Sequence, residues 1–464
     1  MRGLSGRKGE PQDEAGYIHM SSVDMEPITL ERILGRENLQ AAYESVVSNR
    51  GASGTDGMET DELEQYFRDH PYETSKMVLE GKYRPKPIKR VYIPKDNGDM
   101  RPLGIPTVLD RFIQQAIAQV LSQEYEKIFS DNSFGFRPRR SCHKAITRAT
   151  EYLNEGKEWI IDLDLSKFFD TVNHSKLLQL LSDRIKDGRV ISLIHRFLRA
   201  PVEEDGKVGH KTTIGTPQGG CISPVLANIL LNELDQLLDG RGHKFVRYAD
   251  DMVIFCSSKK GAERVLESIT KFIEGKLFLK VNKEKTKIIK ASNEAQFLGF
   301  SFTSKVSRER KRRCLRPWKW FPTVHNKKRL KLITILKELL NKKARGGISK
   351  VKYELKLKLR GWVNYFSSAI PIRWMKSIDM WIRRKIRALL WKQWKTGAKR
   401  QKECAKRWSK APKLGDFAYP SNRIWHNVKS QVIHRALSNK ILIEDGWCWL
   451  EKCQEDGKII PAVY

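Results

Sequence analysis

The sequence predicts an α+β fold, and three observations carry that expectation. Residues 110–125 and much of 351–389 repeat apolar side chains at helical spacing, whereas residues 159–165 alternate with period two. Two short apolar runs, Phe245-Val246 and Met252-Val253-Ile254-Phe255, flank the acidic turn Tyr248-Ala249-Asp250-Asp251 in the manner of a hairpin. Strand and helix signals are mixed up to about residue 300, and helical signals dominate beyond it.

The elements follow in order. Residues 1–28 mix charges with Gly and Ser, read as a flexible leader, and lack the apolar stretch of a secretory signal. A helix is expected from Thr29, whose hydroxyl can cap the run Leu30, Ile33, Leu34. Gly51-Ala52-Ser53-Gly54-Thr55-Asp56-Gly57 breaks it with a loop. Basic, proline-punctuated strands follow over residues 83–94, and Lys95-Asp96-Asn97-Gly98-Asp99 reads as a hairpin turn leading to Arg101. Lys86, Lys89, Arg90, Lys95 and Arg101 are there available to phosphates.

In the strand expected over residues 159–165, Ile161, Leu163 and Leu165 share one face, and Asp162 and Asp164 share the other. One of these carboxylates, brought to the Asp250-Asp251 turn, would complete a set of oxygen ligands for a hard divalent cation such as Mg²⁺. Taken alone, the acidic turn fits a solvated hairpin tip equally well, since Asp is a common turn residue. The strand alone fits an ordinary amphipathic strand with a wet acidic face.

A chain of 464 residues has room for two to four domains, and 40% hydrophobic content suits a globular protein. There is no apolar run of about 18 residues that would cross a membrane, so a cytoplasmic location is expected. Seven scattered cysteines include no pair of C-x-x-C units, which argues for reduced thiols rather than a structural zinc, although Cys448 and Cys453 lie close in sequence. The net charge of +33 is concentrated: residues 301–464 hold 42 Lys and Arg against 11 Asp and Glu, a net +31. That asymmetry is the footprint of a polyanion, with nucleic acid the leading candidate.

Further blocks surround the acidic turn in a fixed order. They are Phe134-Gly135-Phe136-Arg137-Pro138; Asp164 followed by Phe169; Thr216-Pro217-Gln218-Gly219-Gly220 with Ser223-Pro224; Val281-Asn282-Lys283-Glu284-Lys285-Thr286; Phe297-Leu298-Gly299-Phe300; and Leu359-Arg360-Gly361-Trp362-Val363-Asn364-Tyr365-Phe366. In this order they resemble the reverse transcriptases encoded by group II introns, over most of residues 29–440. The last block resembles that family's thumb or maturase domain and separates the chain from telomerase, retron and retroviral enzymes.

The resemblance implies a right-hand polymerase. It places an N-terminal extension and the start of the fingers at 29–85, fingers and palm at 86–300, a helical thumb or maturase domain at 301–390, and a small basic DNA-binding domain at 391–464. It makes Asp164, Asp250 and Asp251 catalytic metal ligands, with Mg²⁺ the cofactor and Mn²⁺ a substitute. Lys95, Arg101, Phe169, Gln218 and Lys285 become dNTP-binding residues, Phe169 excluding a ribose 2′-hydroxyl and Lys285 lying near the pyrophosphate. Arg137, Arg383, Arg384, Lys385 and Arg387 are expected on nucleic acid, while Trp391, Trp394 and Trp408 suit either base stacking or packing. The implied partners are group II intron RNA, an RNA template–DNA primer duplex, target DNA and dNTPs, with monomer and homodimer both open. Nothing after Cys453 supplies the metal-binding residues of an appended nuclease. Two alternatives stand beside this reading: a reverse transcriptase recruited to phage defence or a CRISPR locus, and an RNA-binding splicing factor that keeps the polymerase fold only as scaffold.

Overall fold

A computed structural model describes residues 24–94, 98–210, 212–306, 317–341, 347–408 and 424–456. They form two compact units, Met1–Lys290 and Ala291–Tyr464.

The first unit is organised by two helices that are buried on most sides. Val108–Tyr125 starts where the Thr107 hydroxyl accepts the Asp110 amide, and it buries Phe112, Ile113, Ala116, Ile117, Val120 and Leu121. Ser223–Gly240 starts with Pro224 in its first turn and buries Leu226, Ile229, Leu230 and Leu234. Such all-round burial places both helices inside the core, and the second also packs against a sheet.

That sheet runs β6-β7-β3-β8, with β3 Trp159–Leu163, β6 Lys244–Tyr248, β7 Asp251–Cys256 and β8 Lys287–Lys290, and every neighbouring pair is antiparallel. Register pairs Tyr248 with Asp251 across the turn, Leu163 with Met252, and Asp162 with both Val253 and Lys287. Ile160, Ile161 and Leu163 are all buried, so β3 is covered on both faces, with only Trp159 and Asp162 partly exposed. A second sheet, β2-β1-β4-β5, joins β1 Ile88–Pro94 and β2 Met100–Ile105 to the short strands β4 Val202–Glu204 and β5 Lys207–Val208. Its β1–β4 pairing is parallel and its other pairings are antiparallel.

The second unit contains a two-stranded ribbon, β9 Phe300–Thr303 with β10 Phe321–Val324, and a set of helices. Gly347–Phe366 buries Val351, Leu355, Leu359, Val363 and Phe366 at helical spacing. Trp362, half-buried, packs against Phe366 and Trp374. Phe300 packs on Tyr365 and Phe366 with ring centroids 5.5 and 5.0 Å apart, and the Tyr365 hydroxyl donates to the Leu298 carbonyl.

Two expected boundaries therefore fall differently in the structure. The Phe297-Leu298-Gly299-Phe300 block belongs with the second unit, because its aromatic partners are there. The division expected at residue 390 lies inside one continuous helix, Ile372–Gln393, and the later helix Leu450–Asp456 packs on Gly347–Phe366. Among the described residues no helix is long and apolar enough to cross a membrane.

Candidate active site

The acidic turn is a two-residue hairpin connection: Tyr248 ends β6, Asp251 begins β7, and Ala249 adopts the left-handed conformation at φ 57°. Such a turn matches the right-handed twist of its strands and leaves both aspartates at the tip. Asp164 lies just past the end of β3 and is held by the 281–286 block. Its amide donates to the Thr286 hydroxyl, and its carbonyl accepts the Asn282 amide at 2.8 Å. The Asn282 side chain in turn accepts the Glu284 and Lys285 amides, a local turn that directs Lys285 back to within 3.9 Å of the Asp164 carboxylate.

Four carboxylates thus gather at one end of the sheet, and their electrostatics record the crowding. Desolvation, followed by the negative charges of Asp250, Asp162 and Asp164, pushes Asp251 up to about 6. Desolvation and then Asp164 push Asp162 up to about 6, against the opposing charge of Lys287. Asp250 is raised as well, chiefly by desolvation with Asp164 adding to it, while the positive charge of Arg101 acts in the opposite sense on both Asp250 and Asp251. Like charges held this close favour protonation or a bound cation. A donor set made only of carboxylate oxygens suits a hard divalent ion. Among the described residues no three His, Cys, Asp or Glu side chains close into a ready-made ion cage.

Phe169 and Gln218 line a cavity of about 300 Å³, together with Arg90, Gly104 and Thr216. Backbone bonds fix its walls: the Thr216 amide donates to the Phe169 carbonyl at 2.6 Å, and the Gly104 amide donates to the Gln218 carbonyl at 2.6 Å. Gly219, at φ 120°, is the necessary residue there, because a Cβ would lie 2.3 Å from the Gly104 carbonyl oxygen. The structure thus brings Asp164, Asp250, Asp251, Arg101 and Lys285 into one electrostatic neighbourhood, and puts Phe169 and Gln218 on one cavity. Lys95 lies outside the described residues.

Two residues expected on nucleic acid are placed otherwise. Arg137 is buried, paired with Glu126 at 2.8 Å, bonded to the carbonyls of Ser130 and Ser133, and stacked over Phe129. Arg387 is buried and donates to the Leu437 carbonyl and the Asn439 side chain. Both guanidiniums are occupied in holding the fold. Of the neighbouring basic residues, Arg384 is exposed, Arg383 lies over the Trp449 ring, and Lys385 lies over Trp381 and Trp425. Trp391 and Trp394 are core residues, which selects packing from the two readings open to them.

Sequence reasoning missed Arg247. It is 1% exposed, pairs with Asp235, and donates to Asn228 and to the Ala249 carbonyl of the acidic turn. Its one signal in the sequence is a charged residue between the apolar Val246 and the turn.

The family described as "Reverse transcriptase (RNA-dependent DNA polymerase)" matches residues 93–302, and "Group II intron, maturase-specific domain" matches residues 327–408. "Protein YkfC" of Escherichia coli K12 is 35% identical over 326 residues, covering 60% of this chain and 84% of that protein. The "Group II intron-encoded protein LtrA" of Lactococcus lactis subsp. cremoris is 33% identical over 324 residues, covering 56% of this chain and 54% of LtrA. The chain belongs to the group II intron-encoded reverse transcriptase and maturase family. It spans about half the length of LtrA. A yeast relative, the "Putative COX1/OXI3 intron 2 protein" of Saccharomyces cerevisiae, is 28% identical over 321 residues, covering 56% of this chain and 37% of the yeast protein. The reverse transcriptase match, which spans the β6-β7 hairpin and β3, implies a right-hand polymerase fold.

Proposed function

We propose that the protein is an RNA-directed DNA polymerase of group II intron origin, which copies intron RNA into DNA from dNTPs and binds that RNA to assist its splicing. One observation carries the polymerase half: Asp164 and the Asp250-Asp251 pair, 86 residues apart in the chain, meet at one end of the palm sheet, with Arg101 acting on the pair. The maturase-specific match at 327–408 supports the intron half over recruitment to phage defence or a CRISPR locus.

In this reading Asp164, Asp250 and Asp251 would hold divalent ions, Mg²⁺ with Mn²⁺ as substitute. Bound there, such ions supply acidification of the primer 3′-hydroxyl and charge neutralisation on the leaving pyrophosphate. Arg101 draws the triphosphate toward the carboxylates. The Phe169 ring closes the space a ribose 2′-hydroxyl would take, and Gln218, on the same cavity, contacts the incoming nucleotide beside its template base. Lys285, beside Asp164, is placed to give a proton to the departing pyrophosphate. Exposed basic residues of the second unit hold the template–primer duplex, the intron RNA and the target DNA.

Primer extension on an RNA template tests this. The wild-type chain should extend a DNA primer only with divalent metal and dNTPs, and Asp250→Ala with Asp251→Ala should abolish extension while intron RNA binding persists. Well-folded wild-type protein that makes no DNA would refute the polymerase assignment, and equal loss of synthesis and RNA binding in the double variant would refute separable sites.

A further inference from the structure

The acidic turn has a poor intrinsic hold on its own shape. Ala249 occupies the left-handed region at φ 57°, which an L-residue other than Gly, Asn or Asp enters at a cost. Two residues in a tight turn offer few internal bonds to offset it. The direction of the Asp250 side chain depends on the plane of the peptide that links it to Ala249. That plane is pinned from below: an Arg247 guanidinium nitrogen donates to the Ala249 carbonyl at 2.9 Å.

The guanidinium is itself immobile. It is paired with the fully buried Asp235, its Nε 2.8 Å from one carboxylate oxygen, and it donates to the Asn228 side-chain oxygen at 2.8 Å. Asn228 passes the constraint on, because its amide donates to the Gly135 carbonyl at 2.9 Å. Gly135 abuts the preceding Tyr248–Ala249 peptide, where a Cβ would lie 2.2 Å from the Ala249 nitrogen and 2.9 Å from the Tyr248 carbonyl carbon. The flanking backbone is tied in as well, with the Phe134 amide on the Arg247 carbonyl and the Arg247 amide on the Asn132 carbonyl.

We propose that Arg247, with Asn228 and Gly135, is a positioning device that fixes the two peptides flanking Ala249 and so aims the two carboxylates at their metal ions, an inference that rests on the metal-site reading above. A buried ion pair that only filled the core would need no bond to the turn. Here the bond from Arg247 holds the peptide after Ala249, while Gly135, from a loop remote in sequence, packs against the peptide before it, so Ala249 is constrained on both sides. Residues that orient ligands in this way usually change metal affinity about 10- to 100-fold when altered.

The test compares Arg247→Lys, Asn228→Ala and Gly135→Ala in the full chain. Lysine keeps a positive charge against Asp235 but cannot span Asp235, Asn228 and the Ala249 carbonyl together. Asn228→Ala leaves the Arg247–Asp235 pair intact. Mn²⁺ affinity is read by electron paramagnetic resonance, with the Asp250→Ala, Asp251→Ala protein as background, and primer extension gives kcat and dNTP KM. Each folded variant should bind Mn²⁺ about 10-fold more weakly and lose kcat by a similar factor, with dNTP KM little changed. Wild-type Mn²⁺ affinity in folded Asn228→Ala and Gly135→Ala would overturn the proposal, even if Arg247→Lys failed to fold. A wild-type protein that binds Mn²⁺ at the aspartates but makes no DNA would sink the polymerase reading and leave this inference standing. A wild-type protein that binds no Mn²⁺ there would overturn both.

Discussion

Phe169 shows how a single side chain can be recognisable in sequence while its surroundings are not. Its place five residues after Asp164 suggested a nucleotide check, but the cavity wall it shares with Gln218 depends on the Thr216–Phe169 backbone bond, which joins segments 47 residues apart. Phe169 also packs edge-on against the buried Phe168, centroids 5.1 Å apart, so its ring has little freedom to swing away from a ribose. Phe169→Val should therefore raise the rNTP-to-dNTP ratio of kcat/KM by about 10- to 100-fold, the range available to a steric difference of one small group. An unchanged ratio, measured by single-nucleotide extension, would return Phe169 to a core role. The aspartates could be read because their chemistry depends on residue type and block order. Arg137, Arg387 and Arg247 could not, because an arginine beside a proline, on a helix or in a strand looks the same whether its guanidinium meets a phosphate, a carbonyl or a buried aspartate. Only the long-range partner, Glu126, Leu437 or Asp235, decides.

Elements with strong local signals stand close to where the sequence put them. The strands around the acidic turn follow from apolar runs and turn chemistry, and the helix Val108–Tyr125 from the apolar spacing over 110–125. The strands β4 and β5 have only three and two residues, and the parallel pairing of β4 with β1 joins segments more than 100 residues apart, which no local pattern announces. The same limit hid the end of the second unit. Asp379, in the middle of Ile372–Gln393, accepts the Leu450 and Glu451 amides at 2.8 and 3.0 Å and so caps the helix Leu450–Asp456 from another element. Burial pushes its carboxyl up to about 6, and the two amides oppose that rise. Asp379→Ala would leave two buried donors unpaired and should lower stability by about 1–3 kcal/mol. Urea unfolding checks this, and a midpoint equal to wild type would show that the cap contributes nothing. The sign of the pH effect follows from the raised value: Asp379 favours folding as pH falls from about 6 toward the unfolded carboxyl's 3.8, and that contribution is lost as pH rises through 6.

Across the whole chain, the division of charge matches the division of labour proposed for its two units. The carboxylates sit in residues 1–300, where the overall balance is nearly neutral, while a net +31 lies beyond residue 300. The asymmetry was plain in the sequence, but which basic residues face solvent was not, since Arg387 and Arg400 are buried. The continuity of Ile372–Gln393 also rules out a clean cut at 390 as a test, because truncation there would remove the partners of Arg387 and of the helix Gly347–Phe366 together. Neutralising exposed residues avoids that. Lys356, Lys358, Arg384 and Lys392 are all exposed on these helices. Replacing the four with Gln should weaken binding to RNA and to the template–primer duplex, and each residue that meets a phosphate should flatten the dependence of log affinity on log salt by about 0.7–0.9. Core packing is untouched, so the unfolding midpoint should stay near wild type, which separates lost contacts from lost structure. If the folded variant keeps the wild-type salt slope, the charge on these helices serves solubility, and the nucleic-acid grip must lie on other basic residues of the chain.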